Sequence, residues 1–389
     1  MNGASPARVT AAVALLGLSG AWNGGNVGPV ASEIASEFDL SLAVVGVLAG
    51  TLFLGSTLVG LLFAAQLGQR LGLERGLRLT CATFAVGNAV FAITPVFAGL
   101  AVGRILPGVA FAVMNTLGVV WARNAGGVRL VGVFGASIQL GIALALLVGS
   151  GLADLGIDWR VGFAISAALG VAAFVAIPRG SRSPHVVEQR PAGFLAAALR
   201  RARVYRLMLL FIAIYGVPMM LSPWIIEYLS REGDVATALA GVAAFLLFGL
   251  SAVVRVFGAR LRERGVPHTV LGGALILAAI GMALLAFDAA EAAAFAGVVL
   301  LAAGFGVPYA TALTEAQDLY PKAPGEPVAL MTFAALLPPI AAIPLIGHAL
   351  AQGDGALAWG ILAAFLVVAT VANLRRTGIP LEHEPPGES

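Results

Sequence analysis

One arginine interrupts an otherwise apolar stretch, residues 103–117, which reads GRILPGVAFAVMNTL. A charged side chain at membrane depth costs about 3 kcal/mol or more and is usually retained for a function. The guanidinium of Arg104 offers N–H donors that suit an anion, an amide oxygen or a carbonyl. Two amides, Asn23 and Asn26, stand in another apolar stretch. These residue types could bind an anion or brace two helices, and the helices that position them decide between these roles.

The composition predicts that those helices cross a membrane. Of the 389 residues, 59% are hydrophobic and 11% are charged, whereas soluble domains carry about 25% charged residues. Long apolar runs are typical of membrane-spanning helices, since lipid cannot satisfy open backbone groups. The single cysteine, Cys81, excludes an intramolecular disulfide. We expect no metal, no cofactor and no nucleic-acid partner for this chain.

Charges, prolines and glycines divide the chain into twelve predicted helices, α1–α12. They lie near residues 8–30, 42–64, 76–94, 97–120, 131–153, 160–177, 205–228, 236–257, 267–287, 293–314, 328–350 and 356–374. The longest connection, 178–204, is rich in arginine and separates two sets of six helices. We therefore predict an all-α membrane protein of two six-helix bundles: an N-terminal bundle (1–177), a basic cytoplasmic linker (178–204), and a C-terminal bundle with a short cytoplasmic tail (205–389).

The distribution of charge predicts the orientation. With the N-terminus inside, the outer connections carry only Arg160 and Arg231 of the 23 basic residues. The same connections collect acids: Glu33, Glu37, Asp39, Asp154, Asp158, Glu227, Glu232, Asp234, Asp288, Glu291 and Asp354. We expect a multi-pass protein of a bacterial-type inner membrane with both termini in the cytoplasm.

The two halves of the chain resemble each other at an offset of 194 to 195 residues. The matched positions are Pro29 and Pro223, Glu33 and Glu227, Gly46-Val47 and Gly241-Val242, Ala65 and Ala259, and Gln69-Arg70 and Glu263-Arg264. Two similar bundles with the same orientation can face each other across an axis along the membrane normal. A site between them can then open to either side when the bundles rock.

Several prolines and glycine pairs are predicted to weaken regular helix and to act as hinges. They are Gly24-Gly25 and Pro29 in α1, Pro218 and Pro223 in α7, Pro308 in α10, and Pro338-Pro339 in α11. Broken helices near a repeat interface are where transporter sites tend to form.

The connection between α2 and α3, AAQLGQRLGLERGLR, resembles the signature loop of the major facilitator superfamily. The matching positions are Ala65, Gln69, Arg70, Gly72 and Arg75. Gln69 replaces the acid that contributes, in the family, to a latch at the cytoplasmic side. The second copy keeps an acid, Glu263, beside Arg264. The resemblance implies gating loops at Gln69, Arg70 and Gly72 and at Glu263 and Arg264.

Two further elements resemble the same family. Arg104 and Gly108 match the Arg-x-x-x-Gly element of its proton-coupled drug and metabolite antiporters, in which the arginine takes part in proton exchange. Trp159, Arg160 and Phe163 match a frequent element at the start of α6. A weaker similarity, carried by GLERGL, is to cyanate-type porters, although α1 lacks the arginine expected in that group. The resemblance implies a pseudo-two-fold fold of the superfamily type and secondary transport by alternating access.

The predicted depth of Arg104 agrees with that of the asparagines. Seven residues from the outer end of α4, at 1.5 Å each, place Arg104 about 10 Å into the hydrocarbon. An equal count from the end of α1 reaches Asn23, and Asn26 lies one turn nearer the surface. No acid lies in the middle of α1, α2, α4 or α5. Arg104 therefore reaches the rim, bonds to asparagines and carbonyls, or meets an anion that comes and goes.

Other polar residues are candidates for the cavity. Asn115 on α4, Gln139 on α5, Tyr215 on α7 and Tyr309 on α10 complete the predicted substrate and coupling set. Their alternative role is packing and hydrogen bonding between helices. We expect the inner-end groups Arg255, Glu315 and Asp318 to meet cytoplasmic water, Arg255 by extending its side chain out of the membrane.

Two functions remain open at this point. The first, which we favour, is proton-coupled efflux of an amphipathic compound or metabolite. The second is a small-anion porter that uses Arg104 as a substrate clamp. The chain lacks a Gly-x-x-x-x-Gly-Lys phosphate loop, so ATP-driven transport is not encoded. With four histidines and one lysine, an intramembrane enzyme is not expected and no residue is assigned as catalytic. The expected partners are a small-molecule substrate, protons and the lipid bilayer, and we expect a monomer.

Overall fold

The computed structural model describes residues 5–178, 194–263, 269–287, 291–320 and 325–374, and these ranges are helical throughout apart from turns and connections. The N-terminal helices are α1 (Pro6–Trp22, continued by a 3-10 turn, Gly28–Val30, and by Ala31–Glu37), α2 (Leu42–Leu62), α3 (Leu73–Ile93), α4 (Phe97–Gly127), α5 (Arg129–Asp154) and α6 (Arg160–Ala176). A short helix, Ala64–Leu71, connects α2 to α3, and another, Phe194–Leu199, precedes α7.

The C-terminal helices follow the same order. They are α7 (Ala202–Phe211, a π-helical turn Ile212–Gly216, Val217–Leu221 and Ile225–Glu232), α8 (Thr237–Glu263), α9 (Thr269–Phe287), α10 (Glu291–Gly306 and Tyr309–Gln317), α11 (Gly325–Gln352) and α12 (Gly355–Leu374).

Length and composition agree with a chain that spans a membrane. Within the described ranges, eight helices are long and apolar enough to cross, and α2, α6 and α9 contain shorter apolar helical stretches. The mean helix rise of 1.5 Å gives a helix of 20 residues about 30 Å of length, which matches the hydrocarbon core of a bilayer. The predicted all-α fold is therefore confirmed.

Helices pack against one another within each half, and a separate set of helix pairs joins the two halves. In the N-terminal half α3 packs on α6, and α1 packs on both the α4–α5 pair and α6. In the C-terminal half α9 packs on α10 and α12, and α8 packs on α10. Between the halves, α2 lies against α11 and α5 against α8. These pairs form the contact between the two halves.

The first helix of each repeat is broken at matching places. The main helix of α1 ends at Trp22 and resumes at Ala31, and that of α7 ends at Leu221 and resumes at Ile225. The expected reason is present in the sequence, since Gly24-Gly25 and Pro29 interrupt α1 and Pro223 interrupts α7. The two breaks meet: the Ser222 hydroxyl donates to the Gly24 carbonyl over 2.8 Å. A Cβ on Gly28 would lie 2.7 Å from the Ser222 carbonyl oxygen.

The broken ends of α1 and α7 share one end of the molecule with the connections α5–α6 and α11–α12, here called the acidic end. At this end, a glutamate in each half connects the first helix of the half to its sixth. Glu37, at the end of α1, accepts bonds from Trp159 and Arg160 at the start of α6. Glu232, 195 residues later, accepts from the backbone N–H groups of Gly355 and Ala356 at the start of α12. In both halves, a glutamate at the end of the first helix thus bonds to the start of the sixth, through side chains in the first half and through backbone N–H groups in the second.

Two predicted features differ from the structure or lie beyond it. The connection expected between 120 and 131 is helical almost throughout, since α4 and α5 are separated only by the non-helical backbone of Gly126 and Gly127. The prolines at 338 and 339 do not interrupt α11, which runs through them as one helix. Most of the predicted linker, at 179–193, and the tail from residue 375 lie outside the described residues.

Candidate functional site

The structure brings Arg104 together with both predicted asparagines. Its Nη1 donates to Oδ1 of Asn26 and its Nη2 donates to the carbonyl oxygen of Asn23, each over 2.9 Å. The side chain of Arg104 is only 2% exposed. Of the three roles considered from the sequence, this geometry corresponds to bonding with asparagines and carbonyls, between α4 and the broken turn of α1.

A third asparagine completes the set. Asn88 on α3 donates through Nδ2 to Oδ1 of Asn23 over 2.8 Å, and its own Oδ1 accepts from Asn26 over 3.4 Å. We refer to Asn23, Asn26, Asn88 and Arg104 as the arginine–asparagine network. All four side chains are buried. The network joins α1, α3 and α4, so every member belongs to the N-terminal half.

Asn88 was not among the predicted site residues, although a signal for it exists. It lies five residues before the end of α3 at Ile93, which is about 8 Å of helix. That depth is close to the depth expected for Arg104 and Asn23. A comparison of depths over all the helices, extended to α3, would therefore have identified it.

Small residues allow α4 to bring Arg104 to this place. A Cβ on Gly103 would lie 2.8 Å from the backbone nitrogen of Phe91 on α3. A Cβ on Gly108 would collide with the carbonyl oxygen of Leu52 on α2. The glycine of the Arg-x-x-x-Gly element thus has a packing role, because it lets α2 and α4 touch backbone to backbone.

The network contains no acid. Among the described residues, no carboxylate forms an ion pair with Arg104, and its Nε is buried without a hydrogen-bond partner. Neutral amide and carbonyl oxygens satisfy the other two nitrogens, but they leave the positive charge uncancelled. A buried charge without a counter-charge is unusual, and this one is held by dipoles alone.

A second polar group lies where the bundles meet. Gln139 on α5 donates through Nε2 to the hydroxyl of Ser251 on α8, over 3.5 Å. One turn further along α8, the guanidinium of Arg255 lies 3.8 Å above the ring centre of Tyr309 on α10. The phenol of Tyr215 on α7 is close enough to interact electrostatically with both. We refer to Gln139, Tyr215, Ser251, Arg255 and Tyr309 as the interface cluster.

The position of Arg255 corrects one expectation. Arg255 does not extend into water, since only 8% of it is exposed. The prediction was wrong because α8 was expected to end near residue 257, whereas it continues to Glu263 and keeps Arg255 more than two turns from its end. Glu315 is likewise buried rather than in cytoplasmic water, because α10 continues to Gln317; Asp318 is exposed as expected.

The remaining predicted residues are placed apart from both groups. Asn115 is half-buried and its amide donates to the carbonyl of Phe111 on its own helix, over 2.9 Å. In the predicted gating loops, Arg70 is exposed and Gly72 has a φ of 80°, which favours glycine. The side chains of Gln69 and Glu263 and the whole of Arg264 lie outside the described residues.

At the acidic end, charged contacts also join the two halves. Ser32 of α1 donates to Oε1 of Glu227 of α7 over 2.7 Å, and Arg231 forms an ion pair with the same carboxylate and donates to Ser32 over 3.1 Å. Within the N-terminal half, the bonds from Arg160 and then Trp159 hold the pKa of Glu37 below its ordinary value.

A model of the Major Facilitator Superfamily matches residues 13–343, which is well over half of the chain. The chain belongs to the Major Facilitator Superfamily. A search among curated protein sequences finds no match.

Solved structures of similar fold include three transporters. A bacterial homolog of the human lysosomal transporter Spinster, in an inward-facing and unoccupied conformation, is 17% identical with a TM-score of 0.74, over 96% of this chain and 97% of that one. The xylose transporter XylE from E. coli, partially occluded and inward open, is 14% identical with a TM-score of 0.74, over 95% and 97%. The nucleoside transporter NupG is 14% identical with a TM-score of 0.69, over 96% and 99%.

These likenesses confirm the superfamily fold, with two six-helix bundles related by a pseudo-two-fold repeat. Members of the Major Facilitator Superfamily are membrane transporters and are in general not enzymes. As a member, this chain is a secondary transporter that moves a small molecule by alternating access. The superfamily match does not extend to the antiporter subtype or to the cyanate-type similarity.

Proposed function

We propose that this chain exports a small amphipathic compound or metabolite across a bacterial-type cytoplasmic membrane, in exchange for protons. It works by alternating access, and we assign no catalytic step to it. The observation that carries the proposal is the interface cluster, in which polar and aromatic side chains of α7, α8 and α10 lie beside the Gln139–Ser251 bond that joins the two bundles. A solute bound there would contact both halves of the protein and would sense their relative movement.

The contacts at the acidic end support a state that is closed on one side of this cluster. The breaks of α1 and α7 touch through Ser222 and Gly28, and Ser32 bonds Glu227 across the same boundary. On α2 and α11, a Cβ on Gly46 would lie 2.7 Å from the Cα of Pro344. Contacts of this kind between two rigid bundles can form and break when the bundles rock against each other. Alternating access requires such contacts.

The proposed orientation follows the charge distribution. We place the acidic end outside and both termini in the cytoplasm, so that the structure represents a conformation closed to the outside. We further propose that the chain acts as a monomer, with the N-terminal bundle at 1–177, the basic linker at 178–204 and the C-terminal bundle from 205 onward. Under this orientation, Arg70 and Gly72 lie on the cytoplasmic side as a gating loop.

Proton exchange requires a group that can gain and lose a proton during the cycle. Glu315 is a candidate, because it is a carboxylate that α10 holds 6% exposed. It lies on the broken half of α10 that also carries Tyr309 of the interface cluster. A buried carboxylate on a helix that lines the moving interface can couple its protonation to that movement.

The bonds of Arg104 bear on the alternative function. Because Asn23 and Asn26 already occupy two of its guanidinium nitrogens, Arg104 is better suited to bracing α1, α3 and α4 than to clamping a small anion. The arginine–asparagine network then keeps the broken turn of α1 in shape while the bundle moves as a unit. The small-anion porter remains the competing proposal, and it requires Arg104 to exchange these bonds for a substrate.

Transport by purified protein in liposomes with a trapped pH-sensitive dye tests the proposal. The probes are 2-naphthalenesulfonate, its neutral sulfonamide, ethidium, xylose and uridine, each added outside. An exchanger is expected to make the lumen more alkaline as an amphipathic probe enters. An acid shift would mean cotransport with protons, and movement without any pH change would contradict coupling.

Two variants sharpen this test. In Glu315→Gln, we expect the pH change to be lost while exchange of labelled for unlabelled probe continues, since exchange needs no net proton movement. In Arg104→Ala, the small-anion porter predicts selective loss of sulfonate transport, whereas a bracing role predicts lower thermal stability and an equal fractional loss for every probe. Liposomes without protein give the background. If no probe of any class moves, the proposed function is wrong.

A further inference from the structure

Arg255 has polar atoms that no residue in the described part of the chain satisfies. Only 8% of the residue is exposed, so it is more than nine-tenths buried. Its Nε and Nη2 have no hydrogen-bond partner, and no carboxylate pairs with it among the described residues. Tyr309 covers one face of the guanidinium. An unpaired buried cation of this kind is unfavourable unless something else binds it during the working cycle.

The two atoms without partners, Nε and Nη2, define the shape of a group that could bind there. In a guanidinium, the N–H of Nε and one N–H of Nη2 point in the same direction and form one edge of the plane. That edge matches the two oxygens of a carboxylate or a similar oxyanion, which it binds through two parallel hydrogen bonds. The ring of Tyr309 lies against the face of the plane, so it does not block the edge.

The place of Arg255 in the fold makes a ligand there relevant to transport. Ser251, one turn earlier on the same face of α8, accepts a bond from Gln139 of the other bundle. Gln139 has a buried Oε1 without a hydrogen-bond partner in the described part of the chain. Arg255 therefore lies next to the boundary between the bundles, with the ring of Tyr309 over its guanidinium and the buried Tyr215 in electrostatic interaction with it.

We propose that the interface cluster binds an amphipathic organic anion, with the oxyanion on the Nε and Nη2 edge of Arg255 and the apolar body against Tyr215 and Tyr309. The proposal rests on the transport function proposed above and narrows its substrate to one charge class. It also assigns anion binding to Arg255 and not to Arg104, whose Nη1 and Nη2 both donate to asparagine oxygens within one bundle.

Binding to the detergent-purified full chain, measured by isothermal calorimetry, tests the proposal. The probes are 2-naphthalenesulfonate and 2-naphthalenesulfonamide, which share a ring system and differ in charge. The wild type is expected to bind the sulfonate about 10- to 100-fold more tightly, as a charge-assisted pair would give. Equal affinity for the two probes, or tighter binding of the sulfonamide, would overturn the proposal without any variant.

Variants then locate the site. Arg255→Gln is expected to remove the preference for the sulfonate, so that the two probes bind with affinities within about two-fold of each other. Arg255→Lys keeps the charge but loses the fork, and we expect it to lose most of the preference. The matched control is Arg78→Gln, since Arg78 also lies over an aromatic ring, 4.0 Å from the centre of Phe174, but does so where α3 packs on α6 inside the N-terminal half. A sulfonate preference that survives in Arg255→Gln, or that disappears equally in Arg78→Gln, would contradict the assignment.

The two proposals can fail separately. If the liposomes transport ethidium or a neutral probe and the protein does not prefer the sulfonate, the transport function stands and the anion site is wrong. If the sulfonate binds through Arg255 and no probe is transported, the site stands and the transport function is wrong. If Arg255→Gln does not fold, the comparison of the two probes on the wild type and on Arg255→Lys still decides.

Discussion

Gly28 lies where the broken turn of α1 meets that of α7, and its replacement by alanine is expected to favour opening of the acidic end. A Cβ at this position would lie 2.7 Å from the Ser222 carbonyl oxygen and 3.0 Å from that of Pro223. Both neighbours are backbone atoms, so no side-chain rotation can relieve the overlap. The two halves must separate by a few tenths of an ångström, or the closed state must become less populated.

The size of the effect follows from packing. Overpacking of a tight contact costs about 1–3 kcal/mol. Only the state in which α1 and α7 touch carries that cost, since Gly28 and Ser222 belong to different bundles. A difference of about 1–3 kcal/mol between two states changes their ratio roughly 5- to 150-fold. The Gly28→Ala variant should therefore change the populations well beyond experimental error.

Distances between spin labels at the acidic end can report those populations. Leu155, which is 74% exposed, and Gln352, also exposed, offer one label site on each half. Replacing Cys81 by alanine removes the chain's only cysteine before the two label cysteines are introduced. With Gly28→Ala, double electron–electron resonance should show a smaller population at the short label distance of the closed state and a larger population at a longer distance.

The matched control overpacks a contact inside one bundle. A Cβ on Gly170 of α6 would lie 2.9 Å from the backbone nitrogen of Ala85 on α3. Gly170→Ala should lower the thermal stability and leave the label distances unchanged, because that contact persists in every state of a rocking bundle. If both variants broaden the distances alike, or if Gly28→Ala leaves them unchanged, the contact between α1 and α7 is not part of the closure.

Three further predictions concern stability, each read from thermal unfolding in detergent. Asn88→Leu leaves its asparagine partners unsatisfied and is expected to lower the free energy of unfolding by about 1–3 kcal/mol; Asn115→Leu, whose amide bonds only its own helix, should have the smaller effect. Glu37→Gln removes a carboxylate whose pKa is held below 4.5, so its stabilisation is present above pH 4.5 and disappears as the pH falls further; a difference in melting temperature that grows toward low pH would refute this. Trp224→Phe loses the 2.8 Å bond from Nε1 to a carbonyl of α11, which should cost about 1 kcal/mol, and an unchanged melting temperature would contradict it.

The fold was predictable because the membrane removes most alternatives. Apolar runs had to be helices, and charges marked their ends. The helix breaks at Gly24-Gly25, Pro29 and Pro223 were also predictable, since proline and glycine act locally. The prolines at 338 and 339 misled the same rule, because whether a helix continues through proline depends on its neighbours. For α11, those neighbours include α2, which no local pattern in α11 reveals.

The positions of site residues were predictable where they depended on depth in the membrane. They were not predictable where they depended on how far a helix continues. Counting residues from the ends of α1 and α4 brought Arg104 to the level of Asn23 and Asn26, and the bonds between them agree with that count. The same counting failed for Arg255 and Glu315, because α8 and α10 extend beyond their apolar runs into charged sequence. Charges end an apolar pattern, but they do not end a helix.

The two buried arginines differ in what surrounds them, and the difference indicates which one can sense a substrate. The partners of Arg104 lie on α1 and α3 of its own bundle, so a rigid movement of that bundle leaves its bonds intact. Arg255 stands beside the Gln139–Ser251 contact, which joins the two bundles and must change when they rock. Because no carboxylate in the described part of the chain pairs with either arginine, both leave positive charge in a medium of low dielectric constant. An anion that enters beside Arg255 would reduce that unfavourable charge and would do so differently in the two states, which is the condition for a ligand to shift an equilibrium.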